Sequence, residues 1–148
     1  MLRESLLLNA ILTSSETWYG ITKMEIQELE SVDITLMRCL FEVPHSVPTV
    51  SLYLETGCLR IGTIIKCRRL NFLHYIVKLD KTEMLYKLFQ TQWHNEVKND
   101  WTSEAKKNLN EFGIPQNLDF LKSKSKASFQ NLVKKKAREY EFKSLLEL

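Results

Sequence analysis

Along most of this chain, apolar residues recur at three- and four-residue intervals, the spacing that gathers them on one face of an α-helix. The longest such pattern runs through residues 60–79. There Ile61, Ile64, Ile65, Phe72, Leu73 and Ile76 share a face, while Arg60, Thr63, Cys67, Asn71, His74 and Lys78 form the opposite, polar stripe. This stretch is expected to be the central helix, packed by what comes before and after it. Upstream, Leu2, Leu6, Leu7, Ile11 and Leu12 mark an amphipathic helix over 2–17, ahead of a stop at Gly20. Thr22, with Glu25 three residues on, is a capping box: the hydroxyl accepts from an early backbone N–H and the carboxylate reaches back to another. Ile26, Leu29, Val32, Leu36 and Leu40 carry a stripe from there toward Glu42. Pro44 then disfavours helical geometry at Val43. Acids at Glu25, Glu28, Glu30 and Asp33 and a base at Arg38 suit the dipole of this helix.

Pro44 to Pro48 is a connector, and Thr49 to Thr56 a short helix stopped by Gly57. After the central helix another begins at Asp80 or Thr82, with Met84, Leu85, Leu88, Phe89 and Trp93 on one face. Residues 101–112 make a further amphipathic helix ending at Gly113, and Asn117 or Leu118 opens a brief helical turn. Residues 125–147 form a last long helix carrying Phe129, Leu132, Val133, Tyr140, Phe142, Leu145 and Leu146. No stretch alternates with the period of a strand. The fold expected is all-α, an irregular bundle of about seven helices, with residues 1–113 as a helical domain and 114–148 as a basic helical arm. Only four glycines and three prolines in 148 residues favour the same reading over turn-rich β structure.

Charge changes the picture more than composition does. The formal net charge of +3 is unevenly placed: from Lys122 to Lys143 there are eight Lys/Arg against Glu139 and Glu141, a balance of +6, which leaves −3 for the rest. A localised basic segment points toward anionic partners. The three cysteines, Cys39, Cys58 and Cys67, are odd in number and widely spaced, which suggests neither a disulfide framework nor a zinc site and favours reduced thiols in an intracellular protein. The apolar run from Leu6 to Leu12 is too short to span a bilayer, and its flanks do not suit a secretory signal. No membrane partner and no cofactor are expected.

Several chemistries find no residues to carry them. There is no Gly-rich phosphate loop, no HExxH and no GxSxG, and the histidines (His45, His74, His94) are dispersed. Polymerase-type metal catalysis needs carboxylates clustered around two cations; the acids of 25–33 read instead as a solvated helix face, and no paired aspartates occur. No catalytic or metal-ligating residue is assigned. Cys67 lies among Lys66, Arg68 and Arg69, which would depress a thiol pKa, but a small half-buried residue is the favoured reading. Arg68 and Arg69 sit between apolar neighbours. Each either extends its head to solvent, pairs with a carboxylate such as Glu30, Asp33 or Glu55, or reaches a phosphate. In the basic segment, Phe129, Tyr140 and Phe142 interleave with lysines, a composition fit to track a nucleic-acid backbone or to dock an amphipathic helix. Lys134, Lys135 and Lys136 are consecutive, so they fan around the helix and cannot all pack. The residues assigned to nucleic-acid contact are Lys134, Lys135, Lys136 and Arg138, then Arg68 and Arg69.

An ordered series of features adds a second line. Trp18–Tyr19, a helix start at Thr22–Lys23, an acidic helix ending at Leu36 to Arg38, a proline connector from Pro44 to Pro48, the Leu52 to Gly57 element (LYLETG), the Ile65 to Leu70 helix (IKCRRL), Asp100–Trp101, and Phe129 to Lys134 follow one another. The series resembles the region after the palm of non-LTR retrotransposon reverse transcriptases, and covers nearly the whole chain. One departure is Arg60, where that family often has a proline. The resemblance implies a thumb-like helical region of an RNA-directed DNA polymerase that grips template–primer duplex or RNA–DNA hybrid without sequence preference. It also implies that the catalytic acids lie on a polymerase core upstream of this stretch, so that the chain alone is not an enzyme. The alternative is a helical packing module, with no nucleic-acid role, that covers an apolar face of that absent core. Exposed Leu2, Leu6 and Leu7 would be its sign.

Overall fold

The computed structural model describes residues 2–95 and 98–148, and among these the chain is all-α with no strand. A π-wound turn, Arg3–Leu8, leads into α1, Asn9–Ile11. A 3-10 turn at Ser15–Thr17 precedes α2, Lys23–Leu40. Then come α3 (Thr49–Thr56), α4 (Ile61–Val77), α5 (Met84–His94), α6 (Trp101–Glu111), α7 (Leu118–Ser123) and the long α8 (Lys126–Leu146).

Local chemistry sets these limits. Thr22 Oγ1 accepts from the Glu25 N–H at 3.2 Å, and Glu25 accepts in return from the Thr22 N–H at 2.7 Å, completing the predicted capping box. Asp100 and Ser103 form a second one ahead of α6. Arg38 near the end of α2 donates to the carbonyls of Pro44 and Val47, both at 2.7 Å, and so holds the proline connector against the helix. α3 stops at Gly57, whose φ of 64° lies in the left-handed region that glycine enters without a Cβ penalty.

α4 is the central helix, packed against α2, α5, α6, α7, α8 and the 3-10 turn. Its expected polar stripe is not a solvent face. Thr63 and His74 are buried, because partners await them on the C-terminal segment: Thr63 donates to Glu141, and the His74 ring stacks on Phe129 at 4.5 Å. A helix packed around most of its circumference loses the amphipathic asymmetry that sequence reading relies on. The largest core cluster joins Leu70, Leu73 and Val77 of α4 to Phe89, Trp93, Leu109, Leu121, Phe129, Val133 and Ala137. This cluster crosses residue 113, so the segment 114–148, expected as an arm, shares a core with the residues before it.

The N-terminal turn departs from the expected register. In a π-wound turn, residues five apart line up, and the buried pair is Arg3 and Leu8, followed inward by Leu12. Leu2 and Leu6 stay 60% and 62% exposed, and Leu7 is half-buried. The reason is an ion pair. Arg3 Nε and Nη2 hold the two oxygens of Asp33 at 2.7 and 2.6 Å, and Nη2 also donates to the Leu59 carbonyl at 2.9 Å. Both partners are buried, at 4% and 0% exposure. Burial opposes the Arg3 charge, but the hydrogen bonds and charge of Asp33 outweigh it and the guanidinium pKa ends raised.

A second pair fixes the other side of α4. The Arg60 backbone N–H and Nε donate to Glu141 Oε1 at 3.0 and 2.7 Å, and Arg60 Nη2 reaches Ser144 Oγ at 2.8 Å. A proline here would share the φ of −66° but lack the donor N–H. Glu30 stands between the two pairs, accepting weakly from the Gly62 N–H at 3.4 Å. Burial raises the Glu30 pKa, helped by the charges of Glu141 and Asp33; the Gly62 bond and Arg60 only partly counter this.

Two outcomes follow for stability. Asp33→Ala strands Arg3 in the interior and should cost about 3–5 kcal/mol in urea unfolding, whereas the double change Arg3→Met with Asp33→Leu should recover most of that loss. For Glu30 the folded pKa lies above the unfolded one. Its contribution therefore favours folding below the unfolded value and is lost as pH rises through the folded value. Glu30→Gln should accordingly raise the melting temperature near neutral pH and leave it unchanged in acid, a gap that thermal melts across pH would read.

Candidate nucleic-acid interface

The basic residues of the C-terminal segment sort by what the fold gives them. Lys122 donates to the Tyr86 hydroxyl at 3.1 Å, Lys124 sits over the Phe120 ring, and Lys136 pairs with Glu139 at 3.1 Å. Among the described residues, Lys126, Lys134, Lys135 and Arg138 enter no ion pair or hydrogen bond. Lys126, Lys134 and Arg138 stand at multiples of four along α8, so they form one ridge about 18 Å long at 1.5 Å per residue.

That ridge runs antiparallel beside α4, as the Arg60–Glu141 and His74–Lys124 contacts at its two ends require. Lys134 and Arg138 meet Arg68 across a cleft of about 580 Å³, with Leu8, Ile64 and the Gly57 turn among its walls. Arg68 is anchored by hydrogen bonds to the Leu12 carbonyl and to Ser15 Oγ, so its charge is held in place at the cleft, and it enters no ion pair among the described residues. Glu4 lines the cleft as well, so the basic side chains outnumber the acidic one there, a balance that suits an anionic oxygen.

Three of the sequence-assigned residues thus converge: Arg68, Lys134 and Arg138. Lys135 is exposed on the neighbouring face of α8 and lines none of the clefts described here. Lys136 points to the opposite side, into a mixed-charge cleft with Glu111, Glu139, Lys143 and Glu147. Arg69 leaves the set. It is 3% exposed and bonded to Asn108 Oδ1 and the Trp18 carbonyl, both at 2.7 Å, with Glu104 at 3.1 Å. Its pKa is lowered, burial outweighing the pull of Glu104 and Glu111. None of the three carboxylates considered for the two arginines is their partner: Asp33 belongs to Arg3, Glu30 lies by Gly62, and Glu55 is exposed.

Sequence reading missed Lys78 and Lys126, which line a second cleft further along the same seam with Asn71, Tyr75 and Gln130. A signal was present in the spacing. Ile64, Arg68, Asn71, Tyr75 and Lys78 follow the four-three-four-three rhythm of one helix face, and Lys126, Gln130, Lys134 and Arg138 step by fours. Asp33 and Glu141 both lie near enough to influence Glu30, but each is held by an arginine. Among the described residues no group of three or more His, Cys, Asp or Glu is arranged to hold a metal, and no helix is long and apolar enough to cross a membrane.

No family model, curated protein or solved structure matches the chain. The class it presents is therefore defined by its own geometry: an all-α bundle with a cation-lined groove along its α4/α8 seam.

All three cysteines are free thiols. Burial pushes Cys67 up to about 12, with the Glu141 charge adding and Lys66 only partly opposing, so the neighbouring cations do not activate it. Exposed Cys39 should react with a thiol reagent at pH 8 well before Cys67, and Cys67 should become labelled only in denaturant, as peptide mapping of the modified protein would read.

Proposed function

We propose that this chain is a non-catalytic gripping element that holds nucleic acid, an RNA–DNA hybrid or duplex, through its phosphates without sequence preference. On its resemblance it would be the thumb-like, post-palm part of a non-LTR reverse transcriptase, working with a polymerase core that carries the chemistry. The single observation supporting this reading is the meeting of Arg68, Lys134 and Arg138 in one cleft, where they outnumber Glu4 and form no ion pair among the described residues. Cations left unpaired on a folded surface displace counterions when they meet a polyanion, and that release drives association.

The test is filter binding to an RNA–DNA hybrid at low and high salt. Retention should fall steeply with salt, and Lys134→Ala with Arg138→Ala should flatten the slope of log affinity against log salt by roughly two. No retention at low salt would end this reading.

A second reading is favoured by the N-terminal face. Leu2 and Leu6 are exposed, and Leu7, Val32, Leu36 and Cys39 line a further shallow groove. Apolar residues grouped at a surface mark an interface, here with the absent core. Poor solubility of the isolated chain, rescued by co-expression with such a core, would support this packing role.

A further inference from the structure

The second cleft on the α4/α8 seam has a chemistry that the phosphate reading does not use. It encloses about 430 Å³ and is lined by Asn71, His74, Tyr75, Lys78, Lys126 and Gln130. His74 is committed: its Nε2 lies 3.0 Å from the Lys124 carbonyl and its ring stacks on Phe129. The other residues are not. Tyr75 is 56% exposed, and its ring lies near-parallel to that of Phe72, offset beside it, at 16° and 6.0 Å. Phe72 is in turn fixed edge-on by Trp101 at 5.7 Å. A largely exposed aromatic ring therefore lines the cleft beside a packed neighbour. Asn71 Oδ1 has no hydrogen-bond partner among the described residues, but it is buried and is not presented to the opening. Lys78 and Lys126 make no ion pair among the described residues.

An exposed aromatic ring, the Gln130 amide and two ammonium groups outside any ion pair among the described residues, all in one cleft, are the parts of a base-stacking platform. Bases paired in a duplex keep their faces against their neighbours, so a duplex has no use for such a ring. A single strand does. The Gln130 amide carries a donor and an acceptor for a base edge, and the lysines neutralise the flanking phosphates.

We propose that the Tyr75 cleft takes one unstacked base of a single strand of RNA or DNA, and that the strand's backbone continues along α8 onto Lys134, Arg138 and Arg68. This rests on the phosphate reading above and adds to it the strandedness of the ligand at this end of the groove.

The probe is a short single-stranded oligonucleotide carrying one 2-aminopurine, compared with the same strand paired to its complement. The wild-type chain should quench the fluorophore in the single strand and not in the duplex. Tyr75→Leu, at an exposed position that leaves the core intact, should abolish the quench and weaken single-strand binding about tenfold. Its duplex affinity and salt slope should stay unchanged. Lys78→Ala with Lys126→Ala should lower the salt slope for the single strand. If the wild-type chain binds both forms equally without quenching, or if Tyr75→Leu binds the single strand as well as the parent, the base pocket is overturned while the phosphate reading stands. If the chain retains neither form at low salt, both fall.

Discussion

The constraint that the rest of the structure depends on is a buried run of alternating charges at the start of α4. Arg3 and Asp33 tie the N-terminal turn to α2, and Arg60 with Thr63 ties the first turn of α4 to Glu141 of α8. Glu141 is 3% exposed, so α8 has one rotational setting that lets it reach its donors. With Glu141 inward, Ala137, Val133 and Phe129 follow it into the core at intervals of four. The stripe beside them, Lys126, Gln130, Lys134 and Arg138, is then left facing the open side of the seam. The cationic groove is thus a consequence of where one glutamate is bound.

Apolar side chains would fill the same space at no loss of stability, since taking two charges from water offsets most of what their attraction returns. The ion pairs contribute something apolar contacts lack. Leucines tolerate a helix turned by one residue, whereas a bidentate guanidinium–carboxylate pair has one geometry. The N-terminal turn shows the strength of this preference. It abandons α winding, leaves Leu2 and Leu6 in solvent and turns Arg3 inward, because a buried Asp33 without its partner would cost more than two exposed leucines.

What could be read from the sequence divides along the same line. From α2 onward most helices and several of their limits were legible, because capping at Thr22, glycine at Gly57 and proline at Pro44 act within a few residues, whereas the one helix expected over 2–17 is divided into the π-wound turn, α1 and the 3-10 turn. The all-α class and the long last helix followed from periodicity. Arg68, Lys134 and Arg138 were legible as cations, and their convergence was not, because it depends on residues some 66 positions apart being set side by side by Glu141. The fate of Arg69 was hidden for a related reason. Its partners Trp18, Glu104 and Asn108 come from two distant segments, and nothing local distinguishes it from Arg68. The polar stripe of α4 misled because polarity along a helix reports on solvent only when no other element supplies the hydrogen bonds.

The phosphate and packing readings draw on different residues, so they need not compete. The cleft of Arg68, Lys134 and Arg138 shares no side chain with the groove of Leu7, Val32 and Leu36. Their physics also differ in sign. Contact with a polyanion weakens as salt rises, because counterion release loses its entropic advantage. Burial of Leu2, Leu6 and Leu7 against an apolar face strengthens in sulfate or phosphate salts, which are excluded from protein surfaces. A chain carrying both would hold a protein neighbour through one surface under conditions that loosen its hold on nucleic acid through the other. The opposite salt responses follow from where the residues lie: the N-terminal turn and α2 present Leu6, Leu7 and Val32, while α8 presents lysines.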